Sequence, residues 1–452
     1  MKLLCQFQWG ILCLFLSIGV TSYAQISASG QIRTRSELLN GQGNPRSASD
    51  EPAFFTSQRT RLNVGFTGYR TLVKVALQDT RVWGQDASTN NRTTNPSLNG
   101  LLLHEAWAEI ALLDTAHTNK KGTALALKLG RQELMYDDSR LLGNLDWLQQ
   151  GRRHDAAVLK FSKPNFYVHF GVAYNQNREL KNGGLYDGVP TGYTAGTNGI
   201  GTMYKSMQYL YLNKKFKNGA LSFLVLKDDF QKYVISEAGT KTYLTGTWKR
   251  LTFGPNLQFK FKDHWNLATS AYLQIGKDKN GKDLTAYLYT VKASNTLNKY
   301  LTVSAGYDYT SGTSPSSTKN KSFDPLYGTP HKFWGQMDYF YTASGFGSGG
   351  LSDLYIQSNI KATNQLSFNL DLHQFNSASK ITSSNDSELS TYLGNEIDLI
   401  AQFNLTKNIG FQAGYCTFFS TKSLAQIKNI TNAQSRSDWA YLMINIQPEF
   451  LK

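Results

Sequence analysis

The chain has 452 residues, a formal net charge of +15, and 8 Trp, 25 Tyr and 25 Phe, yet its mean hydropathy is only −0.38. With 40% hydrophobic residues it can bury enough surface to fold, which excludes disorder. The lack of repeated apolar runs of about 18 residues excludes a helical membrane protein. Thirty-eight Gly against 10 Pro, with few helix-period stretches, leaves an all-β chain.

At the start, Lys2 precedes an apolar run from Trp9 to Val20, and Ser22-Tyr23-Ala24 before Gln25 has a small-x-small pattern. Residues 1–24 therefore read as a cleaved secretory signal peptide. An exported protein does not meet cytosolic nucleic acid, so the excess of 47 Lys and Arg over 32 Asp and Glu implies an anionic solute or a membrane surface. Cys5 and Cys13 would leave with the signal, and neither ends the apolar run behind a small residue as a lipoprotein site requires. Cys416 alone remains, so neither a disulfide framework nor a Cys-based metal site is expected.

From residue 25 onward the pattern is two-residue alternation in segments of about ten, separated by turn chemistry. Phe166, Val168, Phe170, Val172 and Tyr174 alternate with Tyr167, His169, Gly171, Ala173 and Asn175. Leu366, Phe368, Leu370 and Leu372 alternate with Ser367, Asn369, Asp371 and His373, and the stretch Glu396–Leu405 repeats the theme. A soluble sandwich would alternate in the same way, so loop lengths decide. Short turns fall at Tyr69-Arg70, Lys163-Pro164, Lys217–Gly219, Lys262-Asp263, Leu297–Lys299, Thr363–Gln365 and Thr406–Asn408, with a longer eighth at Asp114–Gly122. Between them lie mostly longer connections at 38–56, 84–101, 134–153, 178–204, 232–249, 278–282, 312–350, 379–389 and 422–436. Eight turns alternating with nine loops join eighteen strands, provided that 312–350 contains none. That is the layout of an outer-membrane β-barrel in one domain over 25–452, with short periplasmic turns and long outer loops. A barrel of this size leaves an aqueous channel.

The inward parity carries the charge. Arg33 and Arg35 on the first strand, Arg59 and Arg61 on the second, and Lys74, Lys128 and Lys160 on the third, fifth and sixth form a basic wall. Asp308, Asp353, Asp371, Glu396 and Asp398 form an acidic wall on late strands, which a closed barrel would partly oppose to the basic one. Arg or Lys facing lipid costs about 2–4 kcal/mol at the midplane, so the basic residues should face the lumen. There they either hold a solute's carboxylates with paired hydrogen bonds or pair with acids such as Glu105 and Glu109. The densest segment, Gly130–Asp155, joins Arg131, Arg140, Arg152, Arg153 and His154 to Asp137, Asp138, Asp146 and Trp147. Inward folding is expected for it, because Leu141, Leu142, Leu145, Trp147 and Leu148 need partners to pack against. The same is expected of 312–350.

Three segments carry a resemblance: QRTRLNVGF (58–66), GRQELMYDDSRLLGNLDWLQQGRRHD (130–155) and FDPLYGTPHKFWGQMDYF (323–340). They resemble the alginate export porin family, over most of the mature chain. The resemblance implies an eighteen-stranded outer-membrane barrel whose arginine-rich lumen conducts an anionic polysaccharide. It places Arg59, Arg61, Arg131, Arg140, Arg152 and Arg153 on matching motif positions, and His331–Asp338 on the second loop motif.

Enzyme chemistry finds little support. Asp137 and Asp138 are adjacent, as loop-solvating or Arg-pairing residues are. The seven His show no HExxH spacing, and Gly345–Gly350 precedes a strand rather than the helix a phosphate cradle needs. No catalytic residues, metal or cofactor are expected. The function read from the sequence is a passive outer-membrane channel for anionic solutes, with membrane lipid, an acidic saccharide and periplasmic export or uptake proteins as partners. A weakly selective general porin, a surface adhesin and a barrel hydrolase are the alternatives.

Overall fold

A computed structural model describes residues 25–84, 101–113, 122–176, 184–186, 203–262, 264–340, 348–383 and 387–451. The signal-peptide segment, most of the 84–101 and 178–204 loops and most of the Asp114–Gly122 turn lie outside them. The barrel strands run, in order, β1 Gln25–Asn40, β2 Ala53–Gly68, β3 Thr71–Val82, β4 Leu102–Ala111, β5 Ala124–Gln132 and β6 His154–Lys163. Next come β7 Phe166–Tyr174, β8 Ser206–Phe216, β9 Gly219–Ile235, β10 Lys241–Phe261, β11 Trp265–Lys277 and β12 Asp283–Thr296. The circuit ends with β13 Leu301–Thr310, β14 Leu351–Lys361, β15 Leu366–Asn376, β16 Tyr392–Thr406, β17 Ile409–Ser420 and β18 Arg436–Ile446. Each strand pairs antiparallel with its sequence neighbours, and β1 pairs with both β2 and β18, so the sheet has no free edge. A short segment, Glu449–Leu451, extends the closing seam along β1. The expected eighteen-stranded closed barrel is the fold.

Why these strands sit in this register follows from the two faces. Leu62, Val64, Val75, Leu129, Phe170, Ile356, Leu372, Leu399 and Leu442 are exposed on the outer wall, where lipid accepts them. Closure leaves no strand edge unpaired, as an apolar solvent demands. Their neighbours one residue away point inward and are buried or half-buried. At three inward positions a glycine lies directly opposite a tyrosine: Gly171 and Tyr209, Gly306 and Tyr355, Gly414 and Tyr441. Each ring lies over its glycine where a Cβ would clash with it.

Loop 311–350 contains no barrel strand among the described residues, only a 3₁₀ turn at Pro330–Lys332. One boundary differs from expectation. The 232–249 segment is mostly strand: β9 reaches Ile235 and β10 starts at Lys241. Its polar residues hid the alternation. Tyr233 packs against Tyr243 and Trp248, with ring centroids 6.2 and 5.0 Å away, and a register shift between Tyr243 and Thr247 absorbs the irregularity.

The apolar core lies inside the barrel. Leu141, Leu142, Tyr327, Met337, Tyr339 and Phe340 come from two loops and pack against wall residues such as Tyr209, Leu226, Tyr272, Phe375, Phe418 and Trp439.

Candidate functional site

The upper basic residues arise from register. Arg33 and Arg59 are directly opposite each other across β1 and β2, with Gln31 opposite Arg61 and Arg35 opposite Ser57. Like charges placed so repel, and loop 133–153 supplies the compensation. Asp146 bridges the pair, one oxygen 3.2 Å from Arg33 Nη1 and the other 2.8 Å from Arg59 Nη1. Arg33 also donates to Gln149 Oε1 at 3.0 Å and to the Trp147 carbonyl at 3.2 Å. Arg35 donates to that carbonyl at 2.8 Å, lies 4.1 Å from the Trp147 ring centroid, and pairs with Glu37 at 2.9 Å. Arg59 donates to Gln31 at 2.9 Å, and Arg61 to Gln78 at 3.0 Å. Burial opposes ionisation of Asp146, but Arg59 and Arg33 outweigh it and hold the carboxyl below its ordinary range.

A second basic tier faces wider space. Lys74 pairs with Glu105, Lys160 with Glu109 at 2.6 Å, and Lys128 sits 3.8 Å above the Trp107 ring. A cavity of about 750 Å³ opens along β1–β3 at the turn-side end of the barrel, lined by Arg59, Arg61, Lys74, Trp107 and Asp146 among others.

Loops 133–153 and 311–350 hold each other. Gly143 N donates to the Tyr327 carbonyl at 3.0 Å, Tyr327 N to Leu141 at 3.0 Å, and Thr329 N to Ser139 at 2.8 Å. Arg152 donates to the Gly328 carbonyl, and Trp147 stacks on His331 at 4.1 Å. Leu145 adopts φ of +52°, a strained value for a branched side chain, and is fully buried.

The acidic residues do not face the arginines across open water. Asp308 pairs with Arg140 at 2.6 Å, and Arg140 also meets Asp138 at 3.3 Å. Asp353 bonds His373 at 2.9 Å and Asp371 accepts from Gln357 at 2.9 Å. Glu396 accepts from Met337 N at 2.7 Å and Asp398 from Gln336 N at 3.3 Å. All five are buried, most of them beneath loop residues whose charges and amides they satisfy. The expectation of an acidic wall partly opposed to the basic one is therefore corrected.

Three residues of the 130–155 segment also depart from a lumen role. Arg131 shares its face with exposed Leu129, and it grips its cross-strand partner Asp155 on the outer wall with two 2.8 Å hydrogen bonds. Arg140 is an internal counter-ion. His154 points inward but is buried against Tyr204, whose hydroxyl is 2.6 Å from Nδ1. Arg153 is half-buried at the strand entry.

Sequence reasoning missed Arg250. It forms two bonds to Asp228, at 3.0 and 2.6 Å, and one to Asp324 at 2.7 Å, while Tyr327 donates to Asp228 at 2.7 Å. This group ties loop 311–350 to β9 and β10. The signal was Arg250 on the inward parity with Thr252, hidden because the preceding residues read as loop.

Comparison with solved structures places the fold. The chain is similar to Pseudomonas aeruginosa OpdQ (13% identity, TM-score 0.53, 94% of this chain and 98% of that one). It is similar to P. aeruginosa OccK8 (OprE) at 13% identity and TM-score 0.58, covering 94% and 98%. Acinetobacter baumannii OccAB4 gives 11%, 0.58, 94% and 99%. No curated protein matches significantly. A family model described as "Alginate export" matches residues 24–429. A closed barrel with a lipid-facing exterior and a charged, loop-filled interior, matched over nearly its whole length, belongs to the alginate export family of outer-membrane channels.

Proposed function

We propose that the channel passes anionic, carboxylate-bearing saccharides, up to an acidic polysaccharide, by diffusion. The observation that carries this reading is the set of inward-facing basic residues Arg33, Arg35, Arg59, Arg61, Lys74, Lys128 and Lys160 on β1–β3, β5 and β6, of which Arg59, Arg61 and Lys74 line the cavity along β1–β3. A positive lumen raises the local anion concentration, and guanidinium groups replace part of a carboxylate's hydration with paired hydrogen bonds. The chain supplies no bond-making chemistry. Residues 1–24 act as the cleaved export signal and 25–452 as one barrel domain, with periplasmic partners setting export or uptake.

A second reading, a general porin with weak selectivity, is favoured by the pairing of Lys74 with Glu105 and Lys160 with Glu109, which cancels part of the field. Reversal potentials of purified protein in planar bilayers under a KCl gradient separate the two. Anion preference, with block by trigalacturonate but not by neutral maltotriose, supports the saccharide channel. Equal permeability and no block support the general porin.

A further inference from the structure

The Arg33–Arg59 fork is an anion site that the protein fills itself. Both guanidinium groups are almost wholly removed from water, with side chains 4% and 1% exposed, whereas the Asp146 side chain is 47% exposed and lines the cavity that also touches Arg61 and Lys74. Two buried like charges cannot be left without a counter-charge. Asp146 can therefore leave only when another anion takes its place.

The rest of the loop does not need Asp146 to stay. Gln149 donates to Ser57 at 3.0 Å, and Gln78 donates to the Gln150 carbonyl at 3.0 Å. Asn144 donates to Glu133 at 3.0 Å, Leu145 N to Thr329 at 3.1 Å, and Arg152 to Gly328. These anchors lie on both sides of Asp146, so its side chain can swing toward the cavity while the backbone holds.

We propose that Asp146 is an exchangeable stand-in for the solute's carboxylate: it occupies the Arg33–Arg59 fork when no solute does and yields it to an entering uronate. The inference rests on the reading above and identifies the residue that sets carboxylate affinity. Exchange keeps the buried arginines neutralised at every step. It also makes binding shallow enough for release, because the returning Asp146 competes with the departing solute.

The test is block of single channels by trigalacturonate in wild type, D146N and D146E, each first checked for heat-modifiable gel migration. D146N removes the competing charge and should bind the blocker about tenfold more tightly, the effect of one close, partly screened charge. D146E restores the competitor and should return block toward wild type. Wild-type block that D146N leaves unchanged or weakens overturns the exchange and makes Asp146 a fixed organiser of the arginines. A wild-type channel that trigalacturonate does not block overturns the proposed function and the exchange with it.

Discussion

Replacing Arg140 with Met tests how the interior is held. Arg140 and Asp308 are 5% and 2% exposed and lie 2.6 Å apart, and Arg140 also touches Asp138 and the face of Phe333, 3.8 Å from the ring centroid. Burial disfavours the guanidinium charge, yet Asp308 and then Asp138 overcome it, leaving Arg140 more firmly protonated than a free arginine. The methionine would strand Asp308 directly beside its in-register neighbour Asp353. Removing one partner of a buried ion pair costs about 3–5 kcal/mol, which is about two to three and a half decades in a local opening constant. Because the loop and not the barrel bears that cost, hydrogen exchange should report it where the two loops meet. Amides of Tyr327, Gly143 and Thr329, which bond across the loops, should lose protection by that factor while strand amides keep theirs. The double variant R140M/D308N should recover most of the loss. Unchanged protection in R140M would refute the view that this pair docks the loop.

Other predictions follow the same contacts. Gly414→Ala places a Cβ against the Tyr441 ring, which lies 5.1 Å from Trp147 and 4.7 Å from Trp439. Overpacking of about 1–3 kcal/mol should lower the unfolding temperature in a gel-shift assay, and an unchanged temperature would contradict the packing. Trp147→Ala removes the stack on His331 and the contact with Arg35. Large-to-small changes of this kind cost about 3–5 kcal/mol, and single-channel recordings should become noisy at constant barrel stability. Neutralising Lys74, Lys128 and Lys160 together should reduce anion preference in reversal potentials without changing loop hydrogen exchange. A change in exchange would mean that the lysines hold the plug.

The sequence made the wall legible and the interior only in part. Two-residue alternation with alternating loop lengths yields the strand count, because lipid outside and water inside impose opposite chemistry on neighbouring residues. The same parity puts Arg33, Arg59 and Lys74 on the inward face, since a charge on the lipid face is costly. Parity also held the clue to Arg131: three residues beyond inward Lys128 it must face outward, once β5 is known to reach Gln132. What sequence cannot supply is which loop covers which wall. Asp308, Glu396 and Asp398 look like a bare acidic surface until Arg140, Met337 and Gln336 arrive from loops far away in sequence. Arg250 escaped for a related reason: its partners Asp228 and Asp324 lie 22 and 74 residues away, and polar residues at the tip of the β9–β10 hairpin mimic a loop.

Whether the basic lumen admits acidic saccharides in preference to neutral ones can be read from flux through proteoliposomes. Trigalacturonate and maltotriose are close in size and differ in charge. A basic lumen should admit trigalacturonate faster, with the advantage shrinking as salt screens the lumen. Equal rates, or faster entry of maltotriose, would contradict it.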